Sequence, residues 1–138
     1  MNTGASPLPG PWRRRTGIAL TVLVLAFFAM DALGKLLQVE PVLRGTAELG
    51  WPVAAVFPLG LLLALGALLY AIPRTCILGA IILTAFLGGA VASHYRVGSP
   101  LATHVLFGVY VGVLMWAALA LRYPALVRVL RAPGREAV

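Results

Sequence analysis

The chain has 138 residues, enough for one domain, and is 61% hydrophobic with only 11% charged residues, where soluble domains carry about 25%. Too little polar surface is available to cover a fold in water, so the composition points to lipid as the solvent. The net charge of +7 does not indicate nucleic acid, because the basic residues flank long apolar runs instead of forming an aromatic-interleaved patch or a helix stripe.

The N-terminal stretch 1–11 contains Gly, Pro and Ser without periodicity, and reads as part of a flexible basic tail, 1–15, that ends in Arg13, Arg14 and Arg15. A first apolar run follows at 16–37, broken only by Asp31 and Lys35. A basic cluster ahead of an apolar run also opens a signal peptide. The small-residue pattern of a cleavage site is poorly matched by Met30-Asp31-Ala32, which favours a retained helix.

The segment 40–50 is too short and too charged to span. Pro41 suits a helix start and Gly50 a stop, with Glu40, Arg44 and Glu48 on one face and Val42, Leu43, Thr46 and Ala47 on another. That pattern predicts a short helix along the membrane surface. Further apolar runs at 52–72, 75–93 and 101–121 are each close to the ~20 residues that cross a hydrocarbon core. The second contains Pro58, tolerable in lipid if neighbours satisfy the freed carbonyl. The turn near Pro73-Arg74 is so short that its two flanking helices should be antiparallel neighbours. The polar stretch 94–100 reads as a loop and 122–138 as a basic tail. Without strand alternation, the expected fold is all-α, a polytopic bundle of four transmembrane helices.

Orientation follows from the basic residues. Arg13, Arg14, Arg15, Arg74, Arg122, Arg128, Arg131 and Arg135 share one side, against Lys35, Arg44 and Arg96 on the other, 8 to 3. The positive-inside rule makes the first side cytoplasmic, with both termini there and the protein in the cell membrane. Trp12, Tyr70 and Tyr123 are expected in the inner aromatic belt, Trp51 and Tyr95 in the outer. Lipid supplies no hydrophobic drive between helices, so small residues must let them approach. Candidates are Gly60 and Gly66, the ridge Ala80, Thr84, Gly88 and Ala92, and the pair Gly108 and Gly112. An intramolecular seam is the preferred use of these residues; a homodimer face is the alternative.

The chemistry then narrows to the outer end. Asp31 falls about 7 Å inside the slab at ~1.5 Å per residue, a depth at which a charge is paired or functional. Lys35 stands one turn away. The third span delivers His94 and Arg96 to the same layer and the fourth begins there with His104, while Arg44 and Glu48 are positioned to cap it. Such a cluster suits ligand binding, proton relay or partner docking. A structural ion pair and interfacial histidines are the plainer alternatives. No metal-binding spacing and no nucleophile–base–acid set occurs. The lone Cys76 excludes an intrachain disulfide and should pack as a small hydrophobe.

Several stretches carry a family resemblance: Gly34-Lys35-Leu36, Leu49-Gly50-Trp51-Pro52, the run 68–75 (LLYAIPRT), Gly79-Ala80, and 89–94 with Gly98 after it. The chain resembles the DoxX-like family of small four-helix membrane proteins, over about 16–123. The resemblance implies the fold. It also implies roles such as small subunits of membrane oxidoreductase complexes or assembly factors for other membrane proteins. Relatives often carry a glutamate in the second span, where this chain aligns Leu63, so any chemistry of that acid would be lost or passed to Asp31. Three functions are therefore expected in descending order: a non-enzymatic subunit or assembly factor, a quinone- or proton-linked accessory of an oxidoreductase, and a small transporter, for which Asp31 lies too near the membrane edge.

Overall fold

The computed structural model describes residues 10–131. The tail residues 1–9 and 132–138, Arg135 among them, lie outside the described residues. Among the described residues six α-helices follow in chain order: α1 (Pro11–Leu36), α2 (Glu40–Glu48), α3 (Val56–Ala71), α4 (Cys76–Arg96), α5 (Phe107–Arg122) and α6 (Pro124–Arg131). A 3₁₀ turn, Val53–Ala55, leads into α3, and a wide π turn, Leu101–Val105, leads into α5. Pro11–Leu36, Val53–Ala71, Cys76–Arg96 and Leu101–Arg122 are long and apolar enough to cross a membrane. Among the described residues there is no strand. The protein is an all-α, four-span membrane bundle.

α1 packs on α3 and α5, and α4 packs on the same two, while α1 and α4 lie diagonally across the bundle. The core between them holds Val24 and Phe28 of α1, Leu63 of α3, Leu83 of α4, and Met115 and Leu119 of α5. Val22, Leu23, Leu61, Leu65, Ile81 and Val113 are exposed. Apolar residues thus occupy the inside and the outside alike, the pattern of helices buried in lipid.

Local chemistry explains most boundaries. Proline occupies the first turn of α1 and of α2, where its missing N–H costs nothing. α1 starts ahead of the apolar run, so Arg13 and Arg14 stand in its first turn and Arg15 begins the second. Cations there oppose the helix dipole. Pro58 lies in the first turn of α3, where no internal carbonyl awaits its nitrogen, so the helix does not kink around it. α4 continues to Arg96, which places His94 and Arg96 on a helix and not in a loop. The C-terminal segment also differs from a simple tail: after Tyr123 it turns into α6, with Leu126 packed toward the core.

α3 and α4 join through a turn at 72–75 and approach most closely at Gly79. A Cβ on Gly79 would lie 2.2 Å from the Tyr70 nitrogen and 2.6 Å from its Cα. Tyr70 itself is not an interfacial belt residue. It is fully buried, and its hydroxyl donates to the Met115 carbonyl of α5 at 2.9 Å. Tyr70→Phe should lower stability by about 1 kcal/mol, the net worth of one buried hydrogen bond, measured by unfolding in mixed micelles. A loss near zero would show that the bond contributes nothing. Cys76 is buried beside this turn, its thiol directed at the Pro73 carbonyl at 3.2 Å.

Candidate functional site

Two faces of the bundle carry polar residues. One holds Arg13–Arg15, Arg74 and α6, and is termed here the arginine face. The other holds α2, the end of α4 and the start of α5, and is termed the histidine face.

On α1, the i, i+4 spacing sets Asp31 and Lys35 on one side of the helix, and the Lys35 ammonium donates directly to the Asp31 carboxylate. The side chains are 27% and 13% exposed, respectively. The ammonium lies 5.8 Å from the centre of the Phe86 ring of α4, reaching across the diagonal of the bundle. α3 makes room at Gly60, where a Cβ would stand 2.8 Å from Lys35 Cβ and 3.2 Å from the Leu36 nitrogen. Leu63, aligned above with the recurrent glutamate of relatives, is fully buried one turn along α3. The pair is thus neutral as a unit and enclosed by three helices.

His94 and His104 form a second group. Their ring centroids are 5.7 Å apart, one ring from the end of α4 and the other from the π turn. Nδ1 of His94 bonds the Ser99 hydroxyl at 3.1 Å, and Nδ1 of His104 bonds the Thr103 hydroxyl at 2.8 Å. These contacts orient both rings. His94 is half-buried and His104 exposed. Among the described residues, no group of three or more His, Cys, Asp or Glu side chains is placed to hold a metal.

A third group ties α2 down. Trp51 Nε1 donates to Ser93 Oγ at 3.0 Å, and that hydroxyl donates to the Gly89 carbonyl at 2.8 Å. Arg96 Nη2 donates to the Leu49 carbonyl at 2.6 Å. Gly50 between them has φ +77°, and a Cβ there would meet the Arg96 guanidinium at 2.8 Å, so glycine is required twice over. The single layer expected from the sequence is therefore three separate arrangements: Asp31 with Lys35, His94 with His104, and Arg96 with the α2 carbonyl end. Glu48 joins none of them. It is exposed, on the side of α2 that carries the Glu40–Arg44 pair at 2.7 Å.

Two features were not singled out in advance. At the arginine face, Arg122 turns inward: Nη1 donates to Thr21 Oγ1 at 3.2 Å, Nη2 to the Tyr123 hydroxyl at 3.2 Å, and Thr21 donates to the Gly17 carbonyl at 2.8 Å. The only sequence signal was a threonine inside an apolar run. The second is a groove of about 710 Å³ between α4 and α5, closed at one end by Leu126 and Val127 of α6. Three glycines line it, Gly88, Gly108 and Gly112, all of which the sequence pattern assigns to helix seams.

Neither a curated protein nor a solved structure gives a match to the chain. The model of the DoxX-like family matches residues 19–118, which takes in the four spans from within α1 to near the end of α5. With the four-span bundle and this match together, the chain belongs to the DoxX-like family.

Proposed function

We propose that the chain is a non-enzymatic subunit or assembly factor of a membrane complex and that its histidine face is the docking surface. The observation that carries this reading is the state of Asp31. The one acid within a span is already neutralised by Lys35 on its own helix, whose stem packs at Gly60 of α3 and whose ammonium faces Phe86. A carboxylate held this way is a structural partner of its own helix's ammonium; a proton relay or a coupled transporter needs an acid that can change partners. On the histidine face, the two oriented imidazoles have no bond at Nε2 among the described residues, and Tyr95 next to His94 is 73% exposed. Hydrogen-bonding rings next to an exposed aromatic make a surface of the kind that anchors partners. The arginine bias supports a cell-membrane orientation with both termini in the cytoplasm and the docking face on the far side.

The test is site-specific photocrosslinking in native membranes. A crosslinker at Tyr95 should give a discrete adduct that disappears in the His94→Ala/His104→Ala variant. A crosslinker at lipid-facing Leu62 should give none. The reading fails if the purified chain alone reduces a quinone or drives proton-coupled efflux and Asp31→Asn abolishes that turnover in a folded protein.

A further inference from the structure

We propose that the α4–α5 groove is a binding site for one acyl chain of an anionic phospholipid, with the headgroup held at α6 on the arginine face. This site is separate from the docking surface above and does not depend on it.

The groove walls demand an aliphatic occupant. Its lining is apolar except for Thr84, and the Thr84 hydroxyl is already engaged, accepting from Trp116 Nε1 at 2.9 Å and donating to the Ala80 carbonyl at 2.7 Å. The chain does not fill the space itself. A Cβ on Gly88 would meet nothing within 4 Å, and one on Gly112 only a Leu87 methyl at 3.6 Å. These glycines leave a channel, in contrast to Gly79, whose missing side chain is occupied by the Tyr70 backbone.

Length and charge identify the occupant. From Gly108 to Ala120 the groove follows α5 for about 18 Å at ~1.5 Å per residue. One leaflet of a hydrocarbon core is about 15 Å deep. The groove therefore matches a single acyl chain and ends at the headgroup level, against Leu126 and Val127 of α6. The next residue, Arg128, is exposed, and that face also holds Arg74 and Arg13–Arg15. A phosphate headgroup complements this charge, and basic residues at a membrane surface select anionic lipids. A second copy of the chain fits less well. A twofold pairing through this face would bring both α6 helices, with like-charged Arg128 residues, to the same end of the interface.

The full chain, reconstituted in vesicles of equal parts phosphatidylcholine and phosphatidylglycerol and re-extracted in mild detergent, should retain phosphatidylglycerol in excess by native mass spectrometry. Gly88→Leu and Gly112→Leu project into the channel from positions where a Cβ meets no backbone of another element within 4 Å, and each should lose the retained lipid at unchanged melting temperature. Arg128→Gln should keep a lipid but reduce the preference for phosphatidylglycerol about fivefold. Equal retention of the two lipids by the wild type would overturn the proposal. So would unchanged phosphatidylglycerol retention in both leucine variants, a leucine variant that changes oligomeric state and not lipid content, or displacement of the lipid by an equimolar prenyl quinone.

Discussion

Gly79→Ala should be the most damaging single-methyl addition in the bundle. The new Cβ would sit 2.2 Å from the Tyr70 nitrogen, 2.6 Å from its Cα and 2.7 Å from the Leu69 carbonyl carbon. All three are backbone atoms of α3, so no side-chain rotation relieves the contact. α3 and α4 must separate, and they are joined by a turn only a few residues long. Separation also displaces Tyr70, breaking its bond to the Met115 carbonyl and loosening α5. Overpacking typically costs 1–3 kcal/mol, and a backbone contact of this kind belongs at about 3 kcal/mol or above. Unfolding in mixed micelles should show that loss. Gly88→Ala is the control: it adds the same methyl into open space, and the better helix propensity of alanine makes it neutral to stabilising by about 1 kcal/mol. Equal stability of the two variants would mean that the α3–α4 contact is not as close as described.

Asp31→Asn should destabilise the bundle by about 2 kcal/mol, less than the 3–5 kcal/mol for breaking a fully buried pair because both side chains retain some exposure. The loss comes from the charge left behind. Lys35 keeps its ammonium, 13% exposed and directed across the bundle toward Phe86, with no carboxylate to neutralise it. Lys35→Met should cost a similar amount by stranding Asp31. The double variant Asp31→Asn/Lys35→Met removes both charges and should recover most of the stability. A double variant as unstable as the sum of the singles would show that the two residues act independently. That result would reopen a separate role for Asp31.

The four spans were legible because lipid imposes a simple rule: about twenty apolar residues, then a break. The interfacial helix was legible for a related reason, since Pro41, Gly50 and the charges of α2 mark a start, a stop and a wet face. The pairing of Asp31 with Lys35 followed from helical spacing alone. What could not be read was how helices meet. Tyr70 sits at the end of a span, where tyrosines gather at interfaces, yet the close approach at Gly79 draws it into the core. The ridge on α4 divides: Ala80 is buried, Gly88 borders open space and Ala92 is exposed. A small residue looks the same in sequence whether a helix or a lipid fills the gap beside it. Glu48 and Arg96 shared a predicted layer, but depth in the membrane says nothing about direction around a helix. Arg96 turned to a carbonyl, and Glu48 remained exposed.

The position of the Asp31 partner has a consequence for biogenesis. Many intramembrane charges wait for a partner on another helix, and until that helix arrives they burden insertion. Here the partner is four residues away, and the ion pair closes as soon as α1 becomes helical. The first span can enter the bilayer as a neutral unit before α3, α4 or α5 exist. Its insertion is then independent of the helices it later binds, which leaves the ammonium free to serve as an assembly contact when Phe86 is delivered by α4.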